Sequence, residues 1–197
     1  MKTNASTIGL FKVFLFCVLL SNFNAFAQKT FVWIVMPGET VGKQDYLNSA
    51  GQARAEELAK ILKREKIQAI YTIDSKAAQQ TANPLAQKAK VSPQVYADSI
   101  AALADKIKKN FHGNKVLVIA KAANIIPLLK SLGVKAPFSA VQNDDNDLLF
   151  ALTLNTNSDK AELFINHYGK AQHSTEIPQQ FILENFYPSF VPPMNNH

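Results

Sequence analysis

Three polar clusters in this 197-residue chain follow apolar runs closely enough to sit at the ends of strands. Glu39-Thr40 follows Met36-Pro37-Gly38, Asp74-Ser75-Lys76 follows the run 67–73, and Lys121 and Asn124 follow the run 116–120. Lys76 and Lys121 read either as solvated charges at element ends or as attractors of a small anion. A helix starting at Asn124 would add backbone donors and a positive dipole, which suit phosphate or sulfate. Glu39 and Thr40 read as strand-end hydrogen-bonding groups, while Glu39, Asp74 and Lys121 could also serve acid–base chemistry on another substrate. The four histidines, His112, His167, His173 and His197, have no metal-motif spacing and are expected at surfaces or turns, with no metal bound. Asp144, Asp145 and Asp147 lack the glycine and distal glutamate of an EF-hand loop and read as a solvated acidic loop.

The elements that must position these residues alternate. Thr30 to Met36, Ile67 to Ile73 and Val116 to Ala120 are apolar without polar alternation, as in strands buried on both faces. Between the first two, Gly51 to about Lys66 places Ala55, Leu58, Ala59 and Leu62 on one helical stripe. Asp74 or Ser75 can cap the next helix, which Pro84 should kink or restart. Ile100, Leu103, Ala104, Ile107 and Phe111 mark a third helix, ended by His112-Gly113. A fourth, capped by Asn124, runs to Leu132 and stops at Gly133. Residues 148–154 and 161–166 read as two more strands around the turn-like segment 155–159. This order predicts an α/β fold, a three-layer α/β/α sandwich with a largely parallel sheet. Ligands in such folds lie beyond the carboxyl ends of the strands, which is where the three polar clusters fall.

Residues 1–27 begin basic, run apolar from Val13 to Leu20 and end Ala25-Phe26-Ala27, the layout of a secretory signal cleaved after Ala27. Lys12, Ser21, Asn22 and Asn24 keep the apolar run well below the roughly 20 residues of a membrane anchor. The mature protein is therefore expected to be periplasmic or secreted, without a membrane span. Cleavage leaves 170 residues and lowers the formal charge from +6 to +4, because Lys2 and Lys12 go with the leader. It also removes Cys17, the single cysteine, and with it disulfides, thiolate metal sites and cysteine nucleophiles. No basic run is interleaved with aromatics, so nucleic acid is not an expected partner. Residues 171–197, with Pro178, Pro188, Pro192 and Pro193 among aromatics, suit an extended, partly packed tail that could dock an envelope protein.

Four segments in order carry a resemblance. They are Met36-Pro37-Gly38-Glu39-Thr40; Leu47-Asn48-Ser49-Ala50-Gly51-Gln52-Ala53-Arg54-Ala55; Tyr71-Thr72-Ile73-Asp74-Ser75-Lys76-Ala77-Ala78-Gln79-Gln80-Thr81-Ala82; and Lys121-Ala122-Ala123-Asn124-Ile125-Ile126-Pro127. Together they resemble the histidine phosphatase superfamily, branch 1, which includes phosphoglycerate mutases. In that family the corresponding segments read Arg-His-Gly-Glu-Thr, Leu-Ser/Thr-x-x-Gly-x-x-Arg-Ala, Tyr-Ser/Thr-x-Asp-x-x-Arg-x-x-Gln-Thr-Ala and Gly-His-Ser-Asn-Thr-x-Pro. The resemblance covers about residues 30–170 and implies a phosphoglycerate mutase-like domain over 28–170, between the leader 1–27 and the tail 171–197.

The family reaction places a phosphoryl group on a histidine nitrogen while cations hold its oxygens. By this resemblance the nucleophile falls at Pro37, its neighbouring arginine at Met36, the second arginine at Ala77 and the second histidine at Ala122. A shift of one residue in the last segment would put Lys121 at the histidine position and displace Pro127. All four ungapped positions are apolar, so the expectation is a pseudophosphatase with no catalytic residues and no cofactor. Residual binding of a phosphate-like anion would then rest on Lys76, Lys121, Asn124, Glu39 and Thr40. The alternative is a phosphatase or other hydrolase working by a different mechanism on the same scaffold.

Overall fold

The computed structural model describes residues 29–96, 99–155 and 161–187. The leader, most of the turn after Asn155 and the prolines beyond Tyr187 lie outside them. In chain order the elements are β1 (Lys29–Val35), α1 (Ser49–Leu62), β2 (Ala69–Thr72), α2 (Lys76–Ala89), β3 (Gln94–Val95), α3 (Ile100–Asn110), β4 (Lys115–Ile119), α4 (Ala122–Ser131), β5 (Leu148–Asn155), β6 (Ala161–His167) and α5 (Gln179–Phe186). They form one six-stranded sheet in the order β3-β2-β4-β1-β5-β6. β1 pairs in parallel with β4, as β2 does with β4 and β3, whereas β5 runs antiparallel to both its neighbours. The expected α/β sandwich with a largely parallel sheet is the fold observed.

Alternation along the central strands explains the layers. On β1 and β4, Val32, Ile34, Val116 and Val118 face a core shared with Leu103 and Ile107 of α3 and Ile125, Leu128 and Leu129 of α4. Val35, Leu117 and Ile119 face the opposite core, with Leu58 and Leu62 of α1 and Ala78, Ala82 and Leu85 of α2. Each fully buried Ile or Leu contributes roughly 1.5–3 kcal/mol, so the unbroken apolar runs of these strands follow from having helices on both sides. Asn48, Ser75 and Ser99 cap α1, α2 and α3 by accepting from the amides of Gly51, Ala78 and Ala102.

Three elements depart from expectation. α4 begins at Ala122 rather than after Asn124, and its cap position is Lys121, with no side-chain capping bond. Asn124 is already helical, its amide donating to the Lys121 carbonyl at 2.9 Å. Pro84 lies inside α2 without ending it; Ala78, Ala82, Leu85 and Ala86, all buried around it, hold the helix on the sheet despite the lost amide bond. The segment after Gly169 is not an extended tail throughout, since residues 179–186 are helical and Ile177 and Phe181 pack against the core. Phe186 also meets Phe164 of β6 edge-on, with ring centroids 5.7 Å apart. Among the described residues no helix is long and apolar enough to cross a membrane.

Candidate functional site

At the carboxyl ends of β1 and β4 a cavity of about 470 Å³ opens between residues 36–40, residues 121–123 and the loop before β5, at Asn143, Asp144 and Asn146. The loop from Pro37 to Leu47 is held on every side. The Gly38 amide donates to the Thr81 hydroxyl at 2.9 Å, and that hydroxyl donates to the Ala77 carbonyl at 2.8 Å. Asn146 Nδ2 donates to the Pro37 carbonyl at 2.8 Å, and Asn48 Nδ2 to the Thr40 carbonyl at 3.0 Å. Close backbone packing explains the glycines here. A Cβ on Gly51 would lie 2.2 Å from the Glu39 carbonyl oxygen, and one on Gly38 would lie 2.9 Å from Gly51 Cα.

Of the residues singled out by sequence, Met36, Pro37, Glu39, Thr40, Lys121 and Ala122 all line the cavity. Met36 and Ala122 are buried and belong to the α3/α4 core, which makes the inner wall apolar. Ala77 is not in the wall; it sits in a small apolar cluster with Leu47 and Ala55. Lys76, Asp74 and Asn124 are outside the lining too, so the expected flanking of the pocket by two lysines reduces to Lys121 alone. The amino end of α2 already holds an anion. Asp45 accepts from Ser75 Oγ at 2.5 Å and from the amides of Lys76 and Ala77 at 2.8 and 3.2 Å. Those hydrogen bonds, Ser75 first, hold its carboxyl below the usual range.

Glu39 is committed elsewhere as well. Its two carboxylate oxygens accept from Arg54 Nε at 3.0 Å and a terminal nitrogen at 2.5 Å. The same guanidinium donates to the carbonyls of Tyr168 and Lys170, both at 2.8 Å, and lies 5.5 Å from the Tyr168 ring centre. Burial opposes ionisation of Glu39, but the hydrogen bonds and charge of Arg54 together with a backbone hydrogen bond outweigh it, and its carboxyl is held below the usual range. Sequence reasoning quoted Arg54 within a motif and assigned it no role. Its signal was an arginine on the inward stripe of α1, beside Gly51, Ala55 and Leu58, where a charge must find a partner.

The acidic loop corrects another expectation. Asp144 is exposed, but Asp145 and Asp147 are fully buried rather than solvated. Asp145 accepts from the amides of Gln142, Ser174 and Thr175 at 2.6, 2.8 and 2.9 Å, and from the Thr175 hydroxyl at 2.5 Å. Burial pushes against its ionisation, and these hydrogen bonds overcome it, so its pKa is lowered. Asp147 Oδ2 lies 2.8 Å from His173 Nδ1 and 3.3 Å from His167 Nδ1. These two histidines are at the surface as expected, but they converge on one buried carboxylate.

Chemically, the cavity offers one lysine, two carboxylates that are both already engaged, Glu39 by Arg54 and Asp144 by the Ser174 hydroxyl, and neutral polar groups. Among the described residues lining it there is no histidine, cysteine, serine or arginine. Lys121 and the first residues of α4 are the features that could favour an anion.

The comparisons agree with this architecture. Residues 38–100 match the model of the histidine phosphatase superfamily (branch 1). A proposed phosphohistidine phosphatase from Agrobacterium tumefaciens is similar in structure, with a TM-score of 0.53 at 16% identity over 72% of this chain and 99% of that one. A proposed alpha-ribazole-5'-P phosphatase from Escherichia coli gives 0.53 at 11% identity, over 75% and 99%. The mycobacterial glucosyl-3-phosphoglycerate phosphatase gives 0.51 at 13% identity, over 72% and 99%. No curated protein sequence matches the chain. Identities this low establish fold rather than reaction. The matched segment is similar to the histidine phosphatase superfamily (branch 1), and the architecture is the fold of these phosphatases.

Proposed function

We propose that this protein is a secreted pseudophosphatase: it keeps the family scaffold, has lost phosphohistidine chemistry, and acts by binding a small phosphate-like anion or a protein of the cell envelope. The observation that carries the reading is the apolar set Met36, Pro37, Ala77 and Ala122 at the positions the family resemblance assigns to the nucleophile, its two arginines and the second histidine. Pro37 has no side-chain nitrogen, so no phosphoramidate can form there. Met36 and Ala122 belong to the buried apolar wall, and neither can hold an equatorial phosphoryl oxygen. Lys121 and the amino end of α4 keep a weak preference for anions. The signal-like residues 1–27 support export.

A hydrolase of another mechanism on the same scaffold has less support. Glu39 is held by Arg54, and Asp74 is outside the cavity lining. The experiment is to incubate the purified mature chain with an aryl phosphate and to assay acid-labile phosphate on the protein. The expected outcome is no turnover above a denatured control and no phosphorylated species, with weak phosphate binding by calorimetry. Turnover, or a phosphorylated protein, overturns the reading.

A further inference from the structure

We propose that Asp147, His167 and His173 form a binding site for a divalent transition-metal ion of the zinc class. Ligand atoms from the three residues all lie within 4.8 Å of one another. Asp147 Oδ2 lies 2.8 Å from His173 Nδ1 and 3.3 Å from His167 Nδ1, the second at the spacing of two ligands on one ion and the first slightly inside it. Four ligands bound tetrahedrally at about 2.0–2.1 Å stand roughly 3.3 Å apart. The two rings lie side by side, with centroids 4.4 Å apart and planes tilted by 32°. Both present Nδ1 to the same carboxylate oxygen.

Charge supplies the second observation. Asp147 is fully buried, and its Oδ1 has no hydrogen-bond partner among the described residues. A buried carboxylate with an unpaired oxygen is costly, and a bound cation removes that cost. The field of Asp147 also reaches Glu39, whose ionisation it opposes, and Arg54, whose charge it favours. Arg54 already serves Glu39, so Asp147 has no guanidinium of its own.

The ligands are positioned without help from an ion. The Asp147 carbonyl accepts from the Tyr168 amide at 2.9 Å, and Leu148 pairs with His167 in the β5–β6 register. His173 is fixed because the next two amides, of Ser174 and Thr175, are tied to Asp145. Such preorganisation lowers the ordering cost of binding. The side chains of His167 and His173 are 44% and 33% exposed, so an ion can enter from solvent and keep an open coordination position. Two imidazoles and one carboxylate suit zinc, nickel or copper; calcium and magnesium prefer oxygen ligands throughout. The residues stand at 147, 167 and 173, and no spacing motif in the sequence reports them.

The test uses the untagged chain after chelator treatment, titrated with zinc by calorimetry and with cobalt by visible absorption. The expected result is one zinc per chain and a ligand-field spectrum of four-coordinate cobalt. His167→Ala and His173→Ala should each weaken binding by about tenfold or more, with circular dichroism unchanged, whereas His112→Ala should leave binding intact. Absence of stoichiometric binding overturns the proposal, and so does binding that survives both single substitutions at 167 and 173.

Discussion

Two neighbouring regions lie at the same end of the sheet and treat polarity in opposite ways. Around the cavity, Met36, Pro37 and Ala122 at the strand ends make an apolar wall, of which Met36 and Ala122 are continuous with the core. A few residues away, Arg54, Glu39, Asp145 and Asp147 bring four ionisable groups into or against the interior. Charge is therefore absent from that wall and kept where it ties segments together. The Arg54 fork joins the loop after β1 to the carbonyls of Tyr168 and Lys170, and Asp145 joins the loop before β5 to Ser174 and Thr175. The difference teaches that buried charge in this domain holds chain segments, while the buried inner wall of the cavity, Met36 and Ala122, carries none.

The largest test of that contrast is Arg54→Met. It leaves Glu39 and two carbonyls without their donors and should cost about 3–5 kcal/mol in urea unfolding. A loss under about 1 kcal/mol would mean that the fork is dispensable. Gly51→Ala should follow at about 3 kcal/mol, because the new Cβ meets the Glu39 carbonyl and neither backbone can move freely.

Asp145→Asn should cost about 2 kcal/mol at neutral pH by weakening charge-assisted bonds to three amides and a hydroxyl. It also carries a pH signature. Asp145 and Glu39 both have folded pKa values below their ordinary ones, so the folded state binds fewer protons than the unfolded state. Their contribution is complete above the ordinary carboxylate range and is lost as pH falls through the lowered folded values. The carboxylate contribution should be flat between about pH 5 and 7 and fall steeply below about pH 4, and Asp145→Asn should flatten that acid limb. An unchanged limb would remove Asp145 from the account.

The smallest effect belongs to the cavity. Lys121→Ala should leave the urea midpoint within about 0.5 kcal/mol of the parent and reduce phosphate affinity by several-fold in low salt. An equal affinity would assign any anion binding to backbone donors alone.

Much of the fold was legible locally. The run Val116 to Ala120 could only be satisfied between two helical layers, and the stripe Ala55, Leu58, Ala59, Leu62 named the face of α1 that turns inward. β3 was not legible because it has two exposed residues and hence no period to read. α5 was hidden by the surrounding prolines, although its Phe181 and Phe186 find the core and β6. At the site, Met36, Pro37 and Ala122, which motif order singles out, line one cavity, whereas Lys76 lies outside that lining, at a helix end that Asp45 occupies from 31 residues away. The acidic loop was misread because its local composition is that of a solvated turn. What buries Asp145 and Asp147 comes from 26 to 30 residues downstream.

The amino-acid sequence by itself determined the layered α/β architecture and the residue types at the strand ends. Both follow from periodicity and position along the chain, which are local properties. The tertiary structure alone decided which charges meet. Whether Arg54 finds Glu39, or Asp147 finds two imidazoles, depends on closing loops of 15 to 26 residues. That closure is set by packing the sheet against its helices, and no spacing within any single segment encodes it.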